Sequence, residues 1–180
     1  MKRNGIRFWV PVFTQIDLKD CTITLKDGDG HSLEVKVGEG NLTYTESRNI
    51  QYTLDRGHLD EVREGDEVPM DVKLDFTWEY LRGSPLSASG GTPSIEEALK
   101  NIGNADDWVS SDSDACRPYA VDIEVVYAPQ PANCGDKETI TLADFRYEKL
   151  DHDIKAGTVS VTGKCNVTQA SVVRAAQAST

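Results

Sequence analysis

From Val68 to Tyr80 the chain alternates without a break. Val68, Met70, Val72, Leu74, Phe76, Trp78 and Tyr80 fall on one side, and Pro69, Asp71, Lys73, Asp75, Thr77 and Glu79 on the other. A period of two marks a β-strand that buries one face and wets the other. Such a run is far longer than the usual strand of about five or six residues. A strand of this length, apolar on one face and mainly acidic on the other, needs a large curved sheet or a barrel to cover it.

Its neighbours repeat the pattern. Over Asn41–Asp55, Leu42, Tyr44, Ile50, Tyr52 and Leu54 keep one register, while Glu46 and Arg48 interrupt it, which predicts a bulge or a protrusion there. Between the two long runs lies Arg56–Glu67, RGHLDEVREGDE, polar and charged. Strand, charged tip and strand together predict one extended hairpin. Upstream, CTITLKDGDGHSLEVKV predicts a second hairpin, because Asp-Gly pairs supply the positive backbone angles of tight turns. Downstream, Tyr119–Tyr127, Thr139–Lys149 and Thr158–Thr168 complete a strand set, the last with Val159, Val161, Cys165 and Val167 on one face.

One segment breaks the period. After the flexible SPLSASGG, TPSIEEALKNIG carries Thr and Ser for a cap, an early Pro, acidic residues in the first turn and Gly103 at the end. Ile95, Leu99 and Ile102 then line one side of a short helix over residues 94–103. The following NADDWVSSDSDACRP is expected as loop, with Trp108 its anchor. Residues 1–17 mix Ile6, Phe8, Trp9, Val10, Val12 and Phe13 with Pro11, an extended arm in need of a surface. Residues 18–170 then form a single β domain, and residues 171–180 a small, polar, flexible tail.

Length and charge narrow the function. The chain's 180 residues fit one domain with arms, and 38% apolar with 27% charged residues is ordinary for a globular protein. Thirty acids against nineteen bases give a formal charge of −11, which repels nucleic acid and excludes sequence-specific DNA binding. No apolar run approaches the roughly 20 residues that span a bilayer. Lys2, Arg3 and Arg7 are followed by neither an apolar core nor a cleavage site of a signal peptide, so synthesis in the cytoplasm is expected.

Motif by motif, solvated or structural readings outweigh chemical ones. In Asp151-His152-Asp153 the carboxylates flank a potential base, but neighbours on a strand point to different sides. The Asp27–Gly30 DGDG lacks the further oxygen ligands of a calcium loop. SASGG lacks the Lys-Ser/Thr of a phosphate loop. His31 and His58 have no recognisable partner in the sequence, and Trp78 and Tyr80 lie on the apolar strand face, where core packing accounts for them. The sequons at Asn41 and Asn166 mean nothing without secretion. Cys21, Cys116, Cys134 and Cys165 form no paired metal spacing; reduced thiols and a Cys116–Cys134 bridge both remain open. No catalytic, cofactor-binding or metal-binding set is assigned, and the chain is read as non-enzymatic.

The stretch GEGNLTYTESRNIQYTLDRGHLDEVREGDEVPMDVKLDFTWEYLRG, followed by SIEEALKNIG, resembles the tail tube (major tail) proteins of long-tailed bacteriophages. The order of elements extends the resemblance over residues 20–168, with 38–103 its specific part. The resemblance implies a β-sandwich or barrel-like domain with one flanking helix and a long protruding hairpin. It also implies hexameric rings stacked into a tube around a tape measure protein, joined by a tail terminator and by distal tail or baseplate proteins. DNA would pass through the lumen unbound. On this basis Asp71, Lys73, Asp75 and Glu79 are expected to line the lumen. Arg56, His58, Asp60, Glu61, Arg63, Glu64 and Asp66, in the tip at 55–67, are expected to contact the next ring, and the arm to lie on a neighbour. The virion tail, assembled in the host cytoplasm, is the implied location. A secretion-type or tailocin tube subunit and a monomeric β-sandwich module for carbohydrate or protein are the alternatives.

Overall fold

The computed structural model describes residues 21–35, 41–77, 91–128 and 136–175. In chain order its strands are β1 (Cys21–Lys26), β2 (Ser32–Val35), β3 (Asn41–Thr45), β4 (Ile50–Asp55), β5 (His58–Glu64) and β6 (Met70–Thr77). They continue as β7 (Val121–Tyr127), β8 (Lys137–Asp153), β9 (Thr158–Cys165) and β10 (Ser171–Ala175), with one helix, α1 (Ile95–Lys100). All pairings are antiparallel: the protein is mainly β, as the alternation predicts. Eight strands form one sheet in the order β2-β1-β7-β8-β9-β6-β3, with β10 added on β8, while β4 and β5 form a separate two-stranded ribbon.

The 17-residue β8 organises the sheet. Its first half pairs with β7 on one side and β10 on the other; its second half pairs with β9. Phe145 sits at the changeover, opposite both Val121 and Cys165, and is 1% exposed. Two irregularities let one strand serve both halves. Ala143 and Asp144 oppose Asp122 alone, and Asp144 takes φ 54. Such a bulge bends a strand and increases its twist, and a short polar side chain tolerates the positive angle. The Asp144 N–H thereby taken out of the ladder donates to Asp122 Oδ1 at 2.9 Å. A second bulge lies at Glu148. Gly163 is forced by the same packing: a Cβ there would stand 2.1 Å from the Arg146 carbonyl oxygen and 2.8 Å from the Phe145 ring.

The core lies on one face of the sheet. Met70, Val72, Leu74 and Phe76 of β6 are all buried, and Val159, Val161 and Cys165 of β9 join them. Burial pushes the Cys165 thiol up to about 12, so it packs as a small apolar group. Helix α1 covers part of this core with Ile95, Ala98 and Leu99. It starts where Ser94 caps the Glu97 N–H and Glu97 returns a carboxylate to the Ser94 N–H, a reciprocal capping box.

Four expectations are corrected. The helix ends at Asn101, in the left-handed conformation, and not at Gly103; Ile102 is 50% exposed and off the core face. The run over 41–55 is two strands, parted at 46–49 where Glu46 and Arg48 break the apolar face. The charged segment 56–67 is no open tip, since β5 occupies most of it and the turn is Arg56-Gly57 alone. Residues 171–175 form a strand on β8 instead of a flexible tail. The arm at 1–17, Trp78, Glu79, Tyr80, the SPLSASGG loop up to Gly90 and Cys134 lie outside the described residues.

Candidate assembly surface

The ribbon follows from its turn. Arg56 at φ 49 and Gly57 at φ 84 form a two-residue connection with both angles positive, whose twist matches that of the flanking strands. The register places Tyr52 opposite Val62, Leu54 opposite Leu59 and Ile50 opposite Glu64 on one face. Gln51–Arg63, Thr53–Glu61 and Asp55–His58 occupy the other. Tyr52 and Leu54 are each 63% exposed, Leu59 61% and Val62 52%. Every residue from Gln51 to Glu64 is exposed.

An isolated two-stranded ribbon is marginally stable in water, and neighbouring exposed apolar side chains on such an element make it a candidate interaction surface. The expected contact residues Arg56, His58, Asp60, Glu61, Arg63, Glu64 and Asp66 are all exposed on or beside this ribbon, with Arg63 paired to Glu61 at 2.7 Å. Leu59 and Val62 escape a reading of the sequence because they stand three residues apart, on opposite sides of a regular strand. The bulge at Asp60 puts them on the same face.

The ribbon joins the sheet through 46–49 and 65–69. Gly65 N–H donates to the Asn49 carbonyl at 2.7 Å, Arg48 pairs with Glu64 at 2.8 Å, and Ala170 N–H donates to Glu46 at 2.8 Å. A cleft of about 620 Å³ opens beneath, lined by Glu46, Glu64, Asp66, Glu67 and Arg48 among others.

The outer face of β6 holds the expected lumen residues. Asp71 and Lys73 are exposed, Asp75 is half-buried, and Glu79 lies outside the described residues. Lys73 Nζ lies 2.8 Å from Asp75 Oδ2, and Lys164 of β9 lies 3.6 Å from Asp71. Burial would raise the Asp75 carboxyl, but hydrogen bonds from Lys73 and Ser160 outweigh it and hold its pKa below the ordinary value. Thr43, Thr45, Ser160 and Thr162 fill the cross-strand positions between, so the face carries hydroxyls and paired charges.

Two polar knots hold the long loop before β7. The Asp27 carboxylate, with a side chain 0% exposed, accepts from the N–H groups of Asp29 (3.1 Å), His31 (2.7 Å) and Val109 (3.0 Å). His31 Nδ1 lies 2.7 Å from its Oδ2, and the ring stacks on Trp108. Burial would raise the Asp27 carboxyl; the bonds from His31 and from the three N–H groups bring it below its ordinary value, while the bond to Asp27 raises His31. Gly28 is required because a Cβ would meet the Ser110 carbonyl oxygen at 2.3 Å. The Asp112 carboxyl is lowered to about 2, chiefly by the Asp114 N–H and then by Arg146 at 2.6 Å.

Asp151, His152 and Asp153 alternate along the end of β8, which places His152 on the opposite side from both carboxylates; its Nε2 lies 3.6 Å from Glu96. Among the described residues no cluster of three or more His, Cys, Asp or Glu is placed to hold a metal ion.

No protein-family model matches the chain, and no curated protein matches its sequence. Solved structures do resemble it. They include the tube-terminating cap of an anti-feeding prophage, at 10% identity and TM-score 0.48, covering 92% of this chain and 95% of that one. The sheath–tube complex of an extracellular contractile injection system in its extended state is similar at 9% identity and TM-score 0.48, covering 91% and 95%. The sheath/tube terminator of such a system follows at 9% and 0.44, covering 94% and 99%.

Proposed function

We propose that this chain is a non-enzymatic structural subunit of a phage-type tail tube, polymerising as stacked hexameric rings that conduct DNA. The observation that carries this reading is the ribbon. Tyr52, Leu54, Leu59 and Val62 form an exposed apolar face on a two-stranded element that the rest of the described chain leaves bare. An element of that kind is stabilised by what it docks on, and a self-assembling subunit supplies the surface. Among the described residues no strand pairs with the outer edges of the sheet at β2 and β3, where strands of a neighbouring copy can continue the ladder. The resemblance of residues 38–103 to tail tube proteins supplies the remaining terms. These are a lumen wall at Asp71, Lys73, Asp75 and Glu79, a tape measure protein within, a terminator and baseplate proteins at the ends, and the virion tail as location.

Replacing Tyr52, Leu54, Leu59 and Val62 by Ser tests it. The account expects an unchanged thermal midpoint, because these side chains add little to the core, together with loss of assembly in sedimentation. A variant that assembles like the wild type contradicts the reading.

A further inference from the structure

The face of the sheet opposite the core is one surface across six strands. The registers set Thr24 of β1 opposite Glu124 of β7, and Glu124 opposite Thr141 of β8. Further along β8, Asp151 stands opposite Ser160 of β9, Ser160 opposite Asp75 of β6, and Asp75 opposite Asn41 of β3. Hydroxyls and charges fill this surface. Four of its lysines each lie against a carboxylate of the same face. Lys26 is 2.8 Å from Glu124, Lys73 2.8 Å from Asp75, Lys149 2.7 Å from Asp151 and Lys164 3.6 Å from Asp71. These pairs come from five different strands, so the pattern belongs to the face and not to one element. Stability does not account for it. The four lysine side chains are 41 to 68% exposed, and an ion pair so open to water adds little to folding.

We infer that this face is the surface along which a polyanion passes, and that its carboxylates occupy the lysines so that no ammonium group is left for a phosphate. This rests on the reading of the chain as a tube subunit, and it names what keeps the wall from holding what it conducts. Each phosphate that meets a free lysine releases counterions, and affinity accumulates with the number of such contacts. Lysines alone, repeated in every copy of a ring, would hold a polyanion fast. Carboxylates alone, repeated in the same way, would repel one another and oppose assembly. Pairing each base with an acid on one face meets both limits. A carboxylate within hydrogen-bond reach stays with its lysine, and a mobile phosphate has to displace it.

Three variants of the full-length chain test this, at concentrations where sedimentation shows it unassembled. Asp71→Asn, Asp75→Asn and Glu124→Gln together release Lys164, Lys73 and Lys26. Asp55→Asn, Asp60→Asn and Asp66→Asn change the formal charge by the same amount on the ribbon and its stem, and leave the four pairs intact. The third variant adds Lys26→Gln, Lys73→Gln and Lys164→Gln to the first. Binding of a fluorescein-labelled single-stranded DNA is followed by anisotropy at about 20 mM salt, where screening is weak. The first variant is expected to bind about tenfold more tightly than the wild type. Its log affinity should fall against log salt with a slope of about −2, three contacts at about −0.7 each. The ribbon variant and the third variant are expected to behave as the wild type. A first variant no tighter than the wild type, or a ribbon variant that binds as tightly as the first, overturns the inference. If the first variant binds as expected while the wild type makes no rings, the tube reading falls and the pairing of lysines stands. Wild-type rings together with a first variant that ignores DNA have the reverse meaning.

Discussion

Asp27→Ala unties the knot between the β1–β2 turn and the loop before β7, and its cost follows from the donors it strands. Four groups point at the carboxylate: three backbone N–H groups and the His31 ring. The Asp29 and His31 amides belong to an exposed turn and can rotate toward water. The Val109 N–H is different, because it is brought from 82 residues away and fixes the loop that carries Trp108. A hydrogen bond to an ionised group contributes about 1.5–3 kcal/mol net. Counting that one bond in full and discounting the turn, the loss is expected at about 2–3 kcal/mol. The pH dependence has a definite sign. Asp27 titrates below its ordinary 3.8 in the fold, so its contribution is present above that value and is lost as pH falls through the lowered pKa. His31 is raised above 6.5, so its contribution is present below 6.5 and is lost as pH rises through the raised value. The gap between wild type and variant in urea midpoint is therefore widest between about pH 4 and 6.5, and narrows on both sides. Midpoints that coincide at pH 5.5, or a gap that is flat from pH 3 to 9, would refute the reasoning.

Phe76→Ala removes a ring that is 1% exposed from the centre of the core, and should lower stability by about 3–5 kcal/mol in denaturant titration. Gly163→Ala drives a methyl against the Arg146 carbonyl and the Phe145 ring, and should cost at least about 2 kcal/mol in the same assay despite its ordinary backbone angle. Reversing Asp71 and Asp75 to Lys should leave assembly intact and make assembled particles retain DNA at low salt, a retention that fades as salt rises. Equal DNA binding by wild type and variant would move the lumen assignment to Asp122 and Glu124 on β7.

The part of the fold that the sequence discloses is the part governed by local rules. The alternation over 70–77 reappears as buried Met70, Val72, Leu74 and Phe76. The Asp-Gly turn joins β1 to β2, and Trp108 anchors its loop at 6% exposure. What stayed hidden depends on partners distant in sequence or on single inserted residues. β10 is exposed along its whole length and is a strand only because β8 pairs with it, so SVVRA carries no period of its own. β8 reads as a shorter run because bulges at Asp144 and Glu148 shift the alternation twice. The ribbon's apolar face needs the bulge at Asp60, and a reading that favoured charge chose its other side. Asp27 looks like a turn residue, and nothing in DGDGH announces Val109.

The most direct test of the central claim is electron microscopy of the purified full-length protein over a range of concentrations. The account predicts six-fold rings and stacked tubes with an open channel, abolished when Tyr52, Leu54, Leu59 and Val62 are replaced by Ser. Single particles of one chain at every concentration, with no rings or tubes, would contradict it.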